Sequence, residues 1–85
     1  MYLAKVYVTL KPTVNDPQGQ TVLATLRNLG FASARDVRVG KFLELRIDEL
    51  DRSRAQDLVN EICEKLLANP VIEEFRFELQ ELVST

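Results

Sequence analysis

Between Arg35 and Asp48 the chain alternates with a period of two. Val37, Val39, Leu43, Leu45 and Ile47 fall on one side of an extended backbone, and Asp36, Arg38, Glu44, Arg46 and Asp48 fall on the other. Lys41 is the one polar residue on the apolar side, and Phe42 is the apolar exception opposite. A hairpin turning at Gly40-Lys41 is permitted by those residue types. It sets Val37 against Glu44 and Arg38 against Leu43 on shared faces, however, which scrambles the core. A continuous strand keeps the pattern. Thirteen extended residues, Arg35 to Ile47, reach about 43 Å at roughly 3.3 Å each. A compact chain of 85 residues has a radius of gyration near ~12 Å and a width of about 30 Å. One globule cannot shelter both ends, so the strand predicts a second copy. Arg35 to Val39 then pairs in one sheet and Lys41 to Ile47 in another sheet shared with that copy. Gly40 supplies the bend, where a side chain would crowd.

The flanking segments supply the other elements. From Tyr2 to Leu10, Tyr2, Ala4, Val6, Val8 and Leu10 alternate with Lys5 and Thr9, the pattern of a half-buried strand. Asn15-Asp16-Pro17-Gln18 reads as a helix start, with a carboxylate cap and proline at the first helical position. Val22, Leu23, Leu26 and Leu29 form its stripe, and Gly30-Phe31 its left-handed stop. A second helix runs from Arg52 or Arg54 to Leu67, opened by Asp51 or by Ser53-x-x-Gln56, and Asn69-Pro70 stops it. Its stripe is Ala55, Leu58, Val59, Ile62, Leu66 and Leu67. A last strand from Val71 to Leu79 aligns Val71, Phe75, Phe77 and Leu79, and the end, residues 79–85, reads as loose. The order is strand, helix, long bent strand, helix, strand: one α+β domain over residues 1–85, with the element order of a ferredoxin-like sheet if the long strand bends at Gly40.

Charge and residue usage narrow the function. Eleven basic against 13 acidic residues leave a net charge of -2, so no bulk positive field attracts nucleic acid or an anionic membrane surface. No apolar run approaches the ~20 residues of a membrane span. The sequence has no His and one Cys, so a Ser-His-Asp triad, a Cys-His pair and a His-bearing zinc site cannot be assembled. Cys63 forms no internal disulfide, and the reading is a chain of the reducing cytoplasm. No catalytic, cofactor-binding or metal-binding residues are expected.

The residues with some chemical promise have structural explanations. Asp16-Pro17-Gln18-Gly19 offers free N–H groups that suit an anion, but Asp16 would repel one, and capping with close packing of Gly19 is preferred. Lys41 has no carboxylate beside it on the apolar face and reads as snorkelling outward at the bend. Arg38 and Arg46 read as solvated neighbours of Asp36 and Glu44. Cys63 reads as a small apolar filler of the second helix. Glu73 and Glu74, adjacent on a strand, point to opposite faces and cannot act together. Phe42, Phe75 and Phe77 lack the basic, glycine and aromatic order of an RNA-binding sheet.

Three tracts carry a family likeness. Lys11-Pro12-x-Val14-x-Asp16-Pro17-Gln18-Gly19, Val37-Arg38-Val39-Gly40-Lys41 followed by Glu44-Leu45, and Cys63-Glu64-Lys65-Leu66-Leu67-Ala68-Asn69-Pro70-Val71-Ile72-Glu73 together resemble the PurS family, the small subunit of phosphoribosylformylglycinamidine synthase. Thr13 stands where the family commonly has glycine, and Asn15 where an apolar residue often precedes Asp-Pro. The resemblance implies a noncatalytic, homodimeric subunit made of two ferredoxin-like halves with antiparallel sheets. It implies two partners, a large ATP-dependent synthetase subunit (PurL) and a glutaminase subunit (PurQ), which the dimer bridges, with ATP and Mg used by the synthetase. By position, Asp16, Gln18 and Gly19 at the first helix start, Arg38, Gly40 and Lys41 at the bend, and Asn69 and Pro70 at the corner are the candidate subunit contacts. The alternative is a free-standing ferredoxin-like regulatory module binding an amino acid or nucleotide, since one fold hosts many functions.

Overall fold

The structure, a computed structural model, describes residues 1–83. Strand β1 (Tyr2–Leu10) lies at its centre, because its alternate residues Ala4, Val6 and Val8 are small enough to be covered completely. β2 (Gly40–Ile47) and β3 (Glu73–Glu81) pair with β1 on either side, both antiparallel, in the order β2-β1-β3. The register aligns the apolar residues in rows: Ala4 lies opposite Leu45 and Leu79, and Val6 opposite Leu43 and Phe77. Helix α2 (Arg52–Ile62) covers that face with Ala55, Val59 and, just beyond it, Cys63, all fully buried. Asp51 caps α2, its carboxylate accepting from the Ser53 amide at 2.9 Å. The stretch expected to be its last turn is a π-helical turn, Cys63–Leu67, closed by the Ala68 amide donating to the Cys63 carbonyl.

β3 starts two residues later than the sequence pattern suggests. The Asn69 side chain accepts from the Val71 amide at 3.1 Å, and the Asn69 carbonyl accepts from the Ile72 and Glu73 amides. That turn keeps Val71 off the sheet, 76% exposed. The strand also runs past its expected end. Residues 79–81 belong to β3, and the Leu82 amide donates to the Met1 carbonyl at 2.9 Å, so the loose terminus expected from residue 79 is not found there. Ser84 and Thr85, the rest of that expected tail, lie outside the described residues.

Helix α1 (Pro17–Asn28) begins and ends as its sequence predicts. Asp16 caps it, Pro17 opens it, and Gly30 at φ 94° turns the chain so that the Phe31 amide reaches the Leu26 carbonyl at 2.9 Å. Yet only Gly19 of this helix is buried, and Val22, Leu29 and the following Phe31 stand exposed. The long strand is shorter than expected for a related reason. β2 starts at Gly40, and residues 35–39, the arm, belong to no ladder and make no backbone-to-backbone hydrogen bond among the described residues. β1 ends at Leu10, one residue past its Thr9–Gly40 pair with β2, so that ladder stops where the arm begins. The alternative hairpin does not form either, since the arm makes no ladder with β2. The molecule therefore measures 50 × 32 × 14 Å with a radius of gyration of 16.7 Å, against ~12 Å for a compact chain of this length.

Candidate subunit-contact surface

The expected contact residues gather where the arm leaves the α1 start. Asp16 is buried, and both its oxygens are engaged: Oδ1 accepts from the Gly19 amide at 3.0 Å and Oδ2 from the Val39 amide at 2.9 Å. The Gly19 and Val39 amides, aided by the nearby Arg38 charge, hold its carboxyl below the usual carboxylate range. Asp16 is thus more than a helix cap, because it ties the helix start to a residue far along the chain. Gly19 is required by close approach, since a Cβ there would lie 2.2 Å from the Val37 carbonyl oxygen.

Arg38 does not behave as the solvated neighbour of Asp36 that its strand position suggests. Its guanidinium donates to the carbonyls of Lys11 at 3.0 Å, Val14 at 3.3 Å and Leu10 at 3.4 Å. The loop between β1 and α1 curls its carbonyls toward one point, and a planar, many-donor head fits that point. Three carbonyls facing together cannot be read from residue spacing.

Gly40, Lys41 and Gln18 border a common groove with Val39 and Glu73. A Cβ on Gly40 would sit 2.5 Å from the Val8 carbonyl oxygen, so crowding at the bend is as expected. Lys41 departs from expectation. It donates to the Leu67 carbonyl at 3.2 Å and lies 3.8 Å from the Glu73 carboxylate, a partner supplied by the neighbouring end of β3. Asn69 and Pro70 form part of the same corner: the Asn69 amide donates to Glu73 at 2.8 Å, and Lys11 Nζ donates to the Pro70 carbonyl at 2.8 Å. The eight candidates thus fall into an α1–arm cluster (Asp16, Gly19, Arg38) and a corner cluster (Lys41, Asn69, Pro70), with Gln18 and Gly40 along the groove between them.

Cys63 is fully buried, and burial pushes its thiol up from the ordinary range, as an apolar filler requires. Sequence reasoning missed a patch on the uncovered sheet face. Tyr7 and Phe42 form a tilted aromatic pair with ring centroids 5.1 Å apart, and the Arg76 guanidinium lies 4.0 Å over the Tyr7 ring. The sequence signals for it were Phe42 and Tyr7, aromatic residues on the polar sides of their strands. Among the described residues, no helix is long and apolar enough to cross a membrane.

The class is then a small α+β chain, a three-stranded antiparallel sheet with α2 packed on it, whose helix α1, arm and outer β2 edge stand open. Comparison with known proteins agrees. The family described as PurS, phosphoribosylformylglycinamidine (FGAM) synthase, matches residues 3–81. The Bacillus subtilis phosphoribosylformylglycinamidine synthase subunit PurS is 50% identical over 84 residues, 99% of each chain. The solved structure of Methanocaldococcus jannaschii PurS superposes with a TM-score of 0.88 at 34% identity, covering 98% of this chain and all of the other. A chain in the structure of PurLQS from Thermotoga maritima does so at 0.80 and 31% identity, covering 96% and 99%. The chain belongs to the PurS family of phosphoribosylformylglycinamidine synthase subunits.

Proposed function

We propose that this chain serves the synthase as a noncatalytic scaffold, two copies of it forming a dimer that bridges the large synthetase subunit, PurL, and the glutaminase subunit, PurQ. The observation that carries this is the unpaired arm. Residues 35–39 have no ladder among the described residues of their own chain, β2 has an open outer edge there, and α1 has an uncovered apolar stripe. An exchange of arms between two copies answers all three, giving two sheets that each take a strand from the other copy. The presence of a similar chain in the Thermotoga maritima PurLQS structure supports the choice of partners.

In this role the chemistry belongs to the other subunits. The glutaminase releases ammonia from glutamine; the synthetase, with ATP and Mg, activates the amide oxygen of formylglycinamide ribonucleotide. Ammonia then displaces phosphate to give the amidine, with ADP and glutamate as the other products. The scaffold contributes proximity, which keeps a reactive intermediate from being lost between two sites. It holds no cofactor of its own and works in the cytoplasm, where Cys63 stays a thiol. Size-exclusion chromatography of PurL and PurQ with and without this chain tests the proposal. Co-elution and glutamine-dependent synthesis only when the chain is present support it; equal assembly and activity without the chain defeat it.

A further inference from the structure

We propose that Asp16 and Arg38 form a clasp that pre-sets the arm for exchange between copies, so that the affinity of the copies for one another depends on two side chains anchored within their own chain. This rests on the two-copy reading above and adds to it the device that makes exchange favourable. A five-residue arm without a ladder would fluctuate, and the entropy of ordering it would weaken association. Here three successive residues are tied down instead. The Val37 carbonyl packs where Gly19 lacks a side chain, the Arg38 guanidinium holds the carbonyls of residues 10, 11 and 14, and the Val39 amide is bound by the Asp16 carboxylate. Both side-chain ties are charge-assisted, the stronger kind of hydrogen bond. Because Asp16 also caps α1, the arm and that helix keep a fixed relation, and the apolar stripe is presented together with the strand. Asp36 is the remaining charged side chain lining the surface hollow beside Asp16 and Arg38, and it bonds to neither.

Asp16→Asn and Arg38→Lys in the full chain separate the ties from bulk and charge. Asparagine keeps one accepting oxygen and turns the other acceptor into a donor; lysine keeps the charge and loses the fork. Hydrogen exchange reads the Val39 amide against the Val6 amide in β1, and sedimentation equilibrium reads association. The expected result is Val39 exchange about tenfold or more faster in Asp16→Asn with Val6 unchanged, and a dimer dissociation constant raised about tenfold or more in both variants. Asp16→Ser, still a competent cap with a single acceptor, serves if the asparagine variant does not fold. A wild-type dimer whose dissociation constant neither variant changes overturns the clasp alone. A wild-type chain that stays monomeric at every concentration overturns the two-copy reading and the clasp with it.

Discussion

Replacing Val22 and Leu29 by serine, on the open face of α1 and at its C-cap, should dissociate the proposed dimer without harming the sheet. Val22 is 43% and Leu29 68% exposed. Taking ~1.5 kcal/mol for full burial of a valine and ~2 kcal/mol for a leucine, the exposed fractions leave about 2 kcal/mol per copy to be gained by covering them. A twofold dimer uses the stripe twice, so the double variant forfeits about 4 kcal/mol, or ~1,000-fold in dissociation constant. Sedimentation equilibrium over a concentration series measures it directly. Thermal melts followed by circular dichroism add an independent readout: the wild-type midpoint should rise with concentration, and that of the variant should not. Because Val22 and Leu29 lie outside the buried core beneath α2, the variant monomer should keep its sheet signal. A change in dissociation constant below about threefold refutes the assignment of this face to the second copy.

Other outcomes follow from the same geometry. Val59→Ala, under α2 against Ala4, Val6 and Val8, removes two buried methyl groups and should cost about 2 kcal/mol, lowering the melting midpoint by ~10 °C. The Asp16 carboxyl is lowered from 3.8 by the Gly19 and Val39 amides and by Arg38, with Asp36 the nearby like charge. Its charged form is favoured in the clasped structure, so its contribution is complete above about pH 3.8 and lost as the pH falls through the lower value. Wild type should show an acid step in Val39 amide exchange there, and Asp16→Asn none. Cys63, buried and with its thiol pushed up from 9.0, should react with a thiol reagent at neutral pH only as fast as the chain unfolds.

Local chemistry was legible in the sequence wherever one segment decides its own structure. Strand β1 has the expected bounds, Asp16-Pro17 opens α1, and Gly30 takes the positive φ that its place after Leu29 predicts. The same alternation identified which residues of β2 face inward, since Leu43, Leu45 and Ile47 pack against the core. Errors arose where distant segments meet. β3 starts at Glu73 because Lys11 and Lys41, from distant segments, reach the corner where Asn69 turns the chain with its side-chain oxygen and carbonyl, a local bonding pattern that the alternation of apolar residues does not register. Arg38 looked like a solvated charge because the carbonyls it binds lie 24 to 28 residues away. The arm is the instructive case. Its alternation from Arg35 to Ile47 predicts a strand throughout, while a single chain supplies a ladder only from Gly40 onward. A pattern of side chains records what a segment pairs with in its working state, and on the two-copy proposal half of that pairing comes from another molecule.

An isotope-filtered NOE experiment on a dimer mixed from labelled and unlabelled chains tests this account most directly. It predicts contacts between the methyl groups of Val37 or Val39 in one chain and those of Leu43 or Leu45 in the other. A dimer showing no such contacts between chains, or a sample that remains monomeric, contradicts it.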